Sequence, residues 1–317
     1  MDGLSVTEAA PEEGLRRVWD YVSAHAAEAL AEALRPAAAV LAVALLCSLA
    51  GPMAQGSGNF DYINLGGTLA IAAAAITDVQ SVAALGADTV DRLCDYSRVL
   101  LPTLTAAAVG AGAVTSAGVK YAAAALFTDL LLTFSRDLIL PLICAYVALV
   151  TARAALGTGQ LTGAVKLLQW GTAKLMKYMV LAFTGYLGMS GLLSAGADAA
   201  AAKAAKAALS TALPVVGRTL ADASEALVAG AGLLRNAVGA FGLVAVLAAA
   251  ALPILRIGLR YLLYKAAAAV AGVAAGGRLS ALVDGIGTAY GLILGLVGAA
   301  VIFEYVSIIA LMRSVGL

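Results

Sequence analysis

Long apolar runs, each bounded by a few charged or glycine-rich positions, dominate the pattern of this chain. A helix that crosses the hydrocarbon core of a bilayer needs about 20 apolar residues. About six segments come close to this requirement, at residues 36–53, 66–85, 138–152, 178–195, 237–255 and 286–310. The pattern therefore predicts an all-α, polytopic membrane protein with about six transmembrane helices.

Two further apolar stretches, residues 99–134 and 213–234, are interrupted by Gly, Thr, Pro and isolated charges. We expect each of them to be either a re-entrant hairpin or a packed interior helix. A short polar helix precedes each stretch, after Gly86-Ala87-Asp88 and after Gly196-Ala197-Asp198. The first has a charged stripe and an apolar stripe, which predicts a helix that lies along the membrane surface or docks onto a partner.

Basic residues predict how the helices are oriented in the membrane. Residues 153–177 and 256–278 contain lysine and arginine but no acid, so both segments are expected on the cytoplasmic side. Tyr261 and Tyr264, beside Arg260 and Lys265, indicate either a helix in the membrane interface or a loop held by two tyrosines. Residues 1–35 contain seven acids and three arginines. They show no signal-peptide pattern and predict an acidic, amphipathic, non-cytoplasmic leader ahead of a single membrane domain, 36–317.

Composition excludes several classes of protein. Charged residues number 39 of 317, or 12%, whereas soluble proteins average roughly 25%. The net charge of +1 provides no basic surface for nucleic acid. A single histidine and three scattered cysteines exclude the usual zinc spacings, and no nucleotide-binding loop is present, so no cofactor is expected.

Paired Leu-Pro dipeptides suggest an internal duplication. Pro141 follows Pro102 by 39 positions, and Pro253 follows Pro214 by the same distance. With the repeated Gly-Ala-Asp, this spacing predicts a parallel repeat of residues 86–155 and 196–267. Proline lacks a backbone N–H, so these four prolines are expected either to break or kink helices near a permeation path or simply to open helices.

Polar residues within the apolar stretches are candidates for a pore or polar path, because ionisable groups in hydrocarbon are costly and face protein or water. The candidates are Asp78, Lys120, Arg235, Asn236 and Glu304. For Asp78 the alternative is a span that ends at Ile76 and leaves the carboxylate at the interface. Gly287, Gly291 and Gly295 share a helix face with small-xxx-small spacing, which favours close helix packing within the chain or between subunits.

One region carries a family resemblance. The stretches Ser194 to Gly217 (SAGADAAAAKAAKAALSTALPVVG) and Gly232 to Gly239 (GLLRNAVG) resemble the stage III sporulation protein AE family. The similarity in character extends from near Gly86 to the end of the chain. It implies a multi-pass protein of the mother-cell membrane around the forespore, working with other membrane and intermembrane-space proteins of the assembly that links the two cells.

The resemblance also implies a function. Members of the family are described as channel or permease components needed for forespore development, and no catalytic motif is attributed to them. We therefore expect a non-enzymatic channel subunit, possible homo-oligomers and lipid contacts, with a non-conducting scaffold for the other subunits as the alternative. The oligomeric state in detergent would discriminate between these two functions.

Overall fold

The computed structural model describes residues 6–53, 60–110, 114–157, 159–186, 217–274 and 277–312. These residues are almost entirely helical, and none of them is in a β-strand. The helices are α1 (Val6–Met53), α2 (Phe60–Gly110), α3 (Val114–Phe134), α4 (Leu140–Leu156), α5 (162–186), α6 (Gly217–Ala274) and α7 (Gly277–Met312). The all-α prediction is confirmed for the described part of the chain.

Five stretches within the described ranges are long and apolar enough to cross a membrane. They are Glu13–Ala50, Tyr62–Gly110, Tyr121–Leu156, Ala237–Val273 and Gly277–Met312. Each contains most or all of one predicted span. The remaining predicted span, 178–195, begins on α5 and continues beyond residue 186, outside the described residues.

The helices pack as an antiparallel bundle with two ends, which contacts along α7 define. At one end, here called the Arg278 end, the Arg278 guanidinium donates to the Ala154 carbonyl at 2.5 Å. At the other, the Met312 end, Gly239 lies against Met312. The segments 153–157 and 277–281 therefore lie at the same end of the bundle. Each contains a basic residue from a segment that is predicted on the cytoplasmic side.

α7 runs through the middle of the bundle. Four neighbouring helices contact it along its length: α4 through Val150 at Gly285, α6 through Tyr264 at Gly287, α2 through Gly86 at Ile293, and α5 through Met176 at Gly295. Small residues on α7 and its neighbours permit these close approaches. The core therefore lies around α7, whose large side chains Tyr290 and Phe303 are fully buried.

α3 and α4 form one helical path with a local widening between them. Residues Ser135–Ile139 form a π turn, and Pro141 stands in the first turn of α4. Proline cannot donate to the preceding turn and its ring crowds the carbonyl four residues back, so a wider turn before it removes the clash. The predicted span 138–152 is thus part of a longer helix, and Arg136 pairs with Asp91.

The prolines have different placements along the helices. Pro102 lies inside α2 and Pro253 inside α6, so neither helix ends at these residues, whereas Pro214 lies outside the described residues. In the proposed repeat units 86–155 and 196–267, residues 114–155 and 226–267 both run from the Met312 end to the Arg278 end. Residues 196–216 of the second unit are outside the described residues, so the duplication stays a prediction.

The expectation of an interfacial helix or loop around Tyr261 and Tyr264 is wrong. Both tyrosines lie within α6, which continues to Ala274 before the chain turns into α7. Tyr264 is fully buried, and the Arg260 side chain is paired with an acid inside the bundle. A count of basic residues cannot distinguish a solvated loop arginine from one that is neutralised inside a helix, which is why the sequence argument failed here.

Several helices exceed the thickness of a bilayer. At 1.5 Å per residue, α1 with 48 residues, α2 with 51 and α6 with 58 are about 72, 77 and 87 Å long. The hydrocarbon core is only about 30 Å thick. The polar helix after Gly86 is predicted to lie along the membrane surface or to dock onto a partner. It is instead the middle of α2, in one continuous helix with the predicted span 66–85.

Candidate functional site

Asp78 lies at a junction of three helices. Its Oδ1 accepts a hydrogen bond from Nε of Arg260 on α6 at 3.0 Å, and its Oδ2 accepts one from the Tyr290 hydroxyl on α7 at 2.7 Å. The Asp78 and Arg260 side chains are each only 10% exposed. Tyr264 packs edge-on against Tyr290, with ring centroids 4.9 Å apart. The four side chains form what we call the Asp78 cluster.

The Asp78 cluster neutralises two charges that would otherwise be buried without partners. A buried ion pair recovers its desolvation cost only when the geometry is good and the remaining polar atoms are satisfied. Here each carboxylate oxygen has a partner, and Arg260 also donates to the Arg256 carbonyl at 3.3 Å. The cluster therefore ties α2, α6 and α7 together inside the apolar bundle.

Glu304 occupies a second buried position, nearer the Met312 end. Its Oε2 accepts a hydrogen bond from Ser97 Oγ of α2 at 2.5 Å, and both residues are 1% exposed. Its Oε1 has no hydrogen-bond partner in the described structure. Because Tyr290 and Glu304 are 14 positions apart on α7, the two buried acid sites are separated by about 21 Å along that helix.

An aromatic cluster closes the side of α7 beside Glu304. Phe183 of α5 stacks on Phe303 with ring centroids 3.8 Å apart, and Phe127 of α3 lies 5.0 Å from Phe183. These rings bury a large apolar area and favour offset or tilted contacts. They pack α3 and α5 against α7 at Phe303, the residue that precedes Glu304.

Charged side chains on α2 face α3 across the outside of the bundle. Arg98 donates to Asp95 at 3.0 Å and to Asp129 of α3 at 3.1 Å, and Arg136 pairs with Asp91. Behind Arg98 and Asp129 lies a cavity of about 240 Å³ between α2 and α3, which Ser97, Tyr121 and Thr128 also line. The predicted amphipathic character of this part of α2 is thus visible, with the charged stripe directed to α3.

The structure describes two of the five side chains predicted for the polar path, those of Asp78 and Glu304. Asp78 and Glu304 are buried at the two sites above and do not contact each other. The side chains of Lys120, Arg235 and Asn236, the suggested partners of Asp78, are outside the described structure. The partners that the structure provides are Arg260 and Tyr290 for Asp78, and Ser97 for Glu304.

Sequence reasoning missed these three partners for identifiable reasons. Arg260 stood in a segment that was assigned to the cytoplasmic surface. Its position, with Arg256, in the largely apolar run LPILRIGLRYLLY was a usable signal, because an arginine in such a run faces a partner or water inside the protein. Tyr290 and Ser97 are ordinary residues of their helices, and only packing identifies them.

The glycine stripe on α7 packs within the chain. A Cβ at Gly287 would lie 3.3 Å from Tyr264 Cβ, and one at Gly291 would lie 3.0 Å from Cε2 of Tyr261, both on α6. A Cβ at Gly295 would lie 3.4 Å from the Met176 methyl group of α5. The stripe therefore faces two neighbouring helices of the same chain.

Metal chemistry has no support among the described residues, which contain no group of three or more His, Cys, Asp or Glu placed to hold an ion. The described polar groups are instead suited to ion pairing, hydrogen bonding and proton exchange. They occur where α2 contacts α6, α7 and α3.

Comparisons with known proteins place the chain in a family. No curated protein matches it, and no solved structure does. The family model described as stage III sporulation protein AE matches residues 19–316, which is nearly the whole chain. Together with five apolar helices long enough to cross a bilayer, this match shows that the chain belongs to the stage III sporulation protein AE family and fits a sporulation membrane component.

Proposed function

We propose that the protein is a channel or permease-like subunit of the sporulation assembly that links mother cell and forespore. Its site of action in this proposal is the mother-cell membrane around the forespore, where it works with other membrane and intermembrane-space proteins. The proposal assigns no catalytic step and no cofactor to the chain.

The observation that carries this proposal is the burial of ionisable side chains on membrane-crossing helices. Asp78, Arg260 and Glu304 are all at most 10% exposed. Each charged side chain at the centre of a bilayer costs about 2.5–3.5 kcal/mol on insertion scales, and such residues in membrane proteins mark ion and substrate pathways. Their retention on helices that are otherwise apolar supports a transport role.

The length of the helices supports membership of a larger assembly. α1 and α2 exceed the bilayer core by about 40 Å or more, and exposed charged groups follow α1 from Glu13 onward. Helices that project from the membrane with charged, solvated faces offer a surface on which soluble domains of other subunits can dock. This surface lies at the Met312 end, because Gly14 of α1 contacts Val244 there.

A non-conducting scaffold is the second candidate, and one observation favours it. Both carboxylate oxygens of Asp78 have partners within the chain, and α7 is packed against α2, α4, α5 and α6. In this alternative the Asp78 cluster holds the helices in register and no substrate passes it. The protein then contributes by anchoring the other subunits.

Substitution of Asp78 separates the two functions. Asp78→Ala is introduced in sporulating cells, and the protein level in the membrane, the partners that co-purify and forespore maturation are measured. For a channel subunit we expect normal insertion and partner binding with impaired maturation. Asp88→Ala is the matched control, since Asp88 lies on the same helix in an exposed pair with Arg92, and it should leave all three measurements unchanged.

The reciprocal exchange Asp78→Arg with Arg260→Asp completes the experiment. The double variant is compared with each single variant. If the double variant regains both the protein level and the maturation that a single variant has lost, the pair acts through its electrostatic attraction alone and the scaffold function is favoured. If the level returns while maturation stays impaired, the identity of each group matters and the channel function is favoured. Normal maturation in Asp78→Ala cells would overturn the channel proposal.

A further inference from the structure

Glu304 is the least exposed carboxyl group among the described residues. It is 1% exposed, its Oε2 receives one hydrogen bond from a hydroxyl group, and its Oε1 receives none. A carboxylate that is removed from water needs a cation or several donors to offset the lost hydration. One hydroxyl group is less than an ionised carboxylate requires, whereas a neutral carboxylic acid tolerates this environment.

The groups around Glu304 do not supply a free cation. Cys94 and Tyr96 of α2 lie within electrostatic range of the Glu304 carboxyl group, and both side chains are uncharged. Asp91 and Asp95, also on α2, are paired with Arg136 and Arg98. α5 presents Phe183, and the hydroxyl of Tyr305 on α7 donates to the Leu243 carbonyl of α6.

The arginine that follows Ser97 in α2 is already engaged with acids. Arg98 donates to Asp95 and to Asp129, and it lies at the surface with a side chain that is 52% exposed. Its charge is thus balanced by two carboxylates outside the core. Among the described residues, Glu304 therefore has a hydrogen-bond donor but no ion-pair partner.

A polar route connects Glu304 with solvent. The cavity of about 240 Å³ between α2 and α3 has Ser97 in its lining, and the partly exposed Arg98 and Asp129 also line it. Its size and polar lining suit several water molecules. Ser97 can donate to Glu304 and accept from a cavity water at the same time, because a hydroxyl has one donor and two lone pairs.

We propose that Glu304 is a reversible proton-binding site that is loaded and unloaded through Ser97 from the α2–α3 cavity. In loading, a hydronium ion in the cavity gives a proton to Ser97 Oγ while the Ser97 hydroxyl proton passes to Glu304 Oε2, so only O–H bonds form and break. A water molecule remains in the cavity and the carboxyl becomes neutral. This proposal does not depend on whether the chain conducts a substrate or only anchors other subunits. In a transporter, Glu304 would bind the proton whose movement drives transport.

Infrared difference spectroscopy across a pH change tests the proposal on the purified full chain in lipid. The wild-type protein should show a protonated-carboxyl carbonyl band that disappears as the pH rises. The band should be lost in Glu304→Gln, which is neutral and nearly isosteric, and kept in Asp78→Asn, the matched control at an ion-paired carboxyl. A band that Glu304→Gln leaves unchanged would overturn the proposal.

A measurement on the wild-type chain avoids any folding defect of the variant. Dicyclohexylcarbodiimide adds to protonated carboxyl groups in apolar surroundings, and mass spectrometry of peptides locates the adduct. We expect modification at Glu304 that decreases with rising pH and no modification at Asp78. Absence of label at Glu304 at low pH, or labelling that does not respond to pH, would contradict the assignment.

Discussion

Gly291 illustrates how a single residue controls the approach of two helices. An added Cβ would lie 3.0 Å from Cε2 of Tyr261, and Gly287 one turn earlier is similarly close to Tyr264. α6 and α7 can therefore pack closely only with small residues at these positions of α7. The small-xxx-small spacing predicted this close packing, and the contacts identify α6 and α5 as the helices involved.

Replacing Gly291 should loosen the α6–α7 contact. We expect Gly291→Leu to lower stability by about 1–3 kcal/mol, the range for overpacked cores, because the new side chain displaces the Tyr261 ring. Thermal unfolding of the purified protein in detergent measures the effect. Gly298→Leu on the same helix is the control, since no atom lies within 4 Å of its Cβ position. Equal unfolding temperatures for the two variants would contradict the packing.

Asp78 is a second example at the scale of a residue, because the sequence pattern did not determine which side chains it contacts. The sequence identified the acid within an apolar stretch and named two positions for it, a pore lining or the membrane interface. The structure places it in contact with Arg260 and Tyr290, which are 182 and 212 positions away. Hydropathy reports only the neighbours along the chain, so it could not supply these contacts.

The helices are the next scale, and the hairpin of α1 and α2 gives a direct test of their register. Gly67 of α2 faces Cys47 of α1, and an added Cβ would lie 2.5 Å from the Cys47 sulfur. This contact sets the antiparallel alignment of the two helices near the Arg278 end, where Leu279 also approaches Gly67. A cysteine at this position should therefore meet the native thiol.

Mild oxidation of Gly67→Cys should produce an intramolecular disulfide with Cys47, because the Cβ and sulfur positions are within bonding reach after a small side-chain adjustment. Peptide mass spectrometry with and without reductant detects the crosslink. Gly66→Cys is the matched control, with no neighbouring atom within 4 Å of its Cβ position, and should remain reduced. Crosslinking at residue 66 in preference to residue 67 would show a different register.

Continuity is the property of the helices that the sequence predicted least well. The sequence pattern predicts a span at residues 36–53 after a separate leader, yet α1 includes both parts. In the same way, α2 includes a predicted span, a charged segment and Pro102. A proline costs about 3 kcal/mol in a helix interior but does not end the helix when packing on both sides maintains it. Local propensity thus misjudged where helices end.

At the scale of the whole molecule, the structure shows which ends of the helices lie on the same side of the bundle. Arg278 and Ala154 share one end, whereas Gly14, Gly239 and Met312 lie toward the other. In the antiparallel bundle, segments 153–157 and 277–280 must therefore lie toward the same side of the membrane. The excess of basic residues predicts that this side is the cytoplasm.

Site-directed labelling tests the sidedness. In a background with Cys47, Cys94 and Cys144 replaced, Gly159→Cys and Gly277→Cys should react with a membrane-impermeant thiol reagent only from the cytoplasmic side. Both sites have open space at the Cβ position. Arg16→Cys on α1 should react only from the opposite side. Reaction of Gly277→Cys and Arg16→Cys from the same side would refute the arrangement of the helices.

The sequence by itself determined the class of the protein, an all-α membrane protein that resembles a sporulation family, and it identified Asp78 and Glu304 as polar candidates within the apolar stretches. The class follows from composition and from hydropathy within about 20 consecutive residues, which is the length scale of a membrane-crossing helix. The family resemblance came instead from the residues of two particular stretches, 194–217 and 232–239. The α7-centred packing, the Arg260 and Tyr290 contacts of Asp78 and the Ser97 contact of Glu304 were decided only by the tertiary structure. Ser97 and Glu304 are 207 positions apart, and a hydrogen bond over that separation depends on how whole helices align, which no local pattern of residues records.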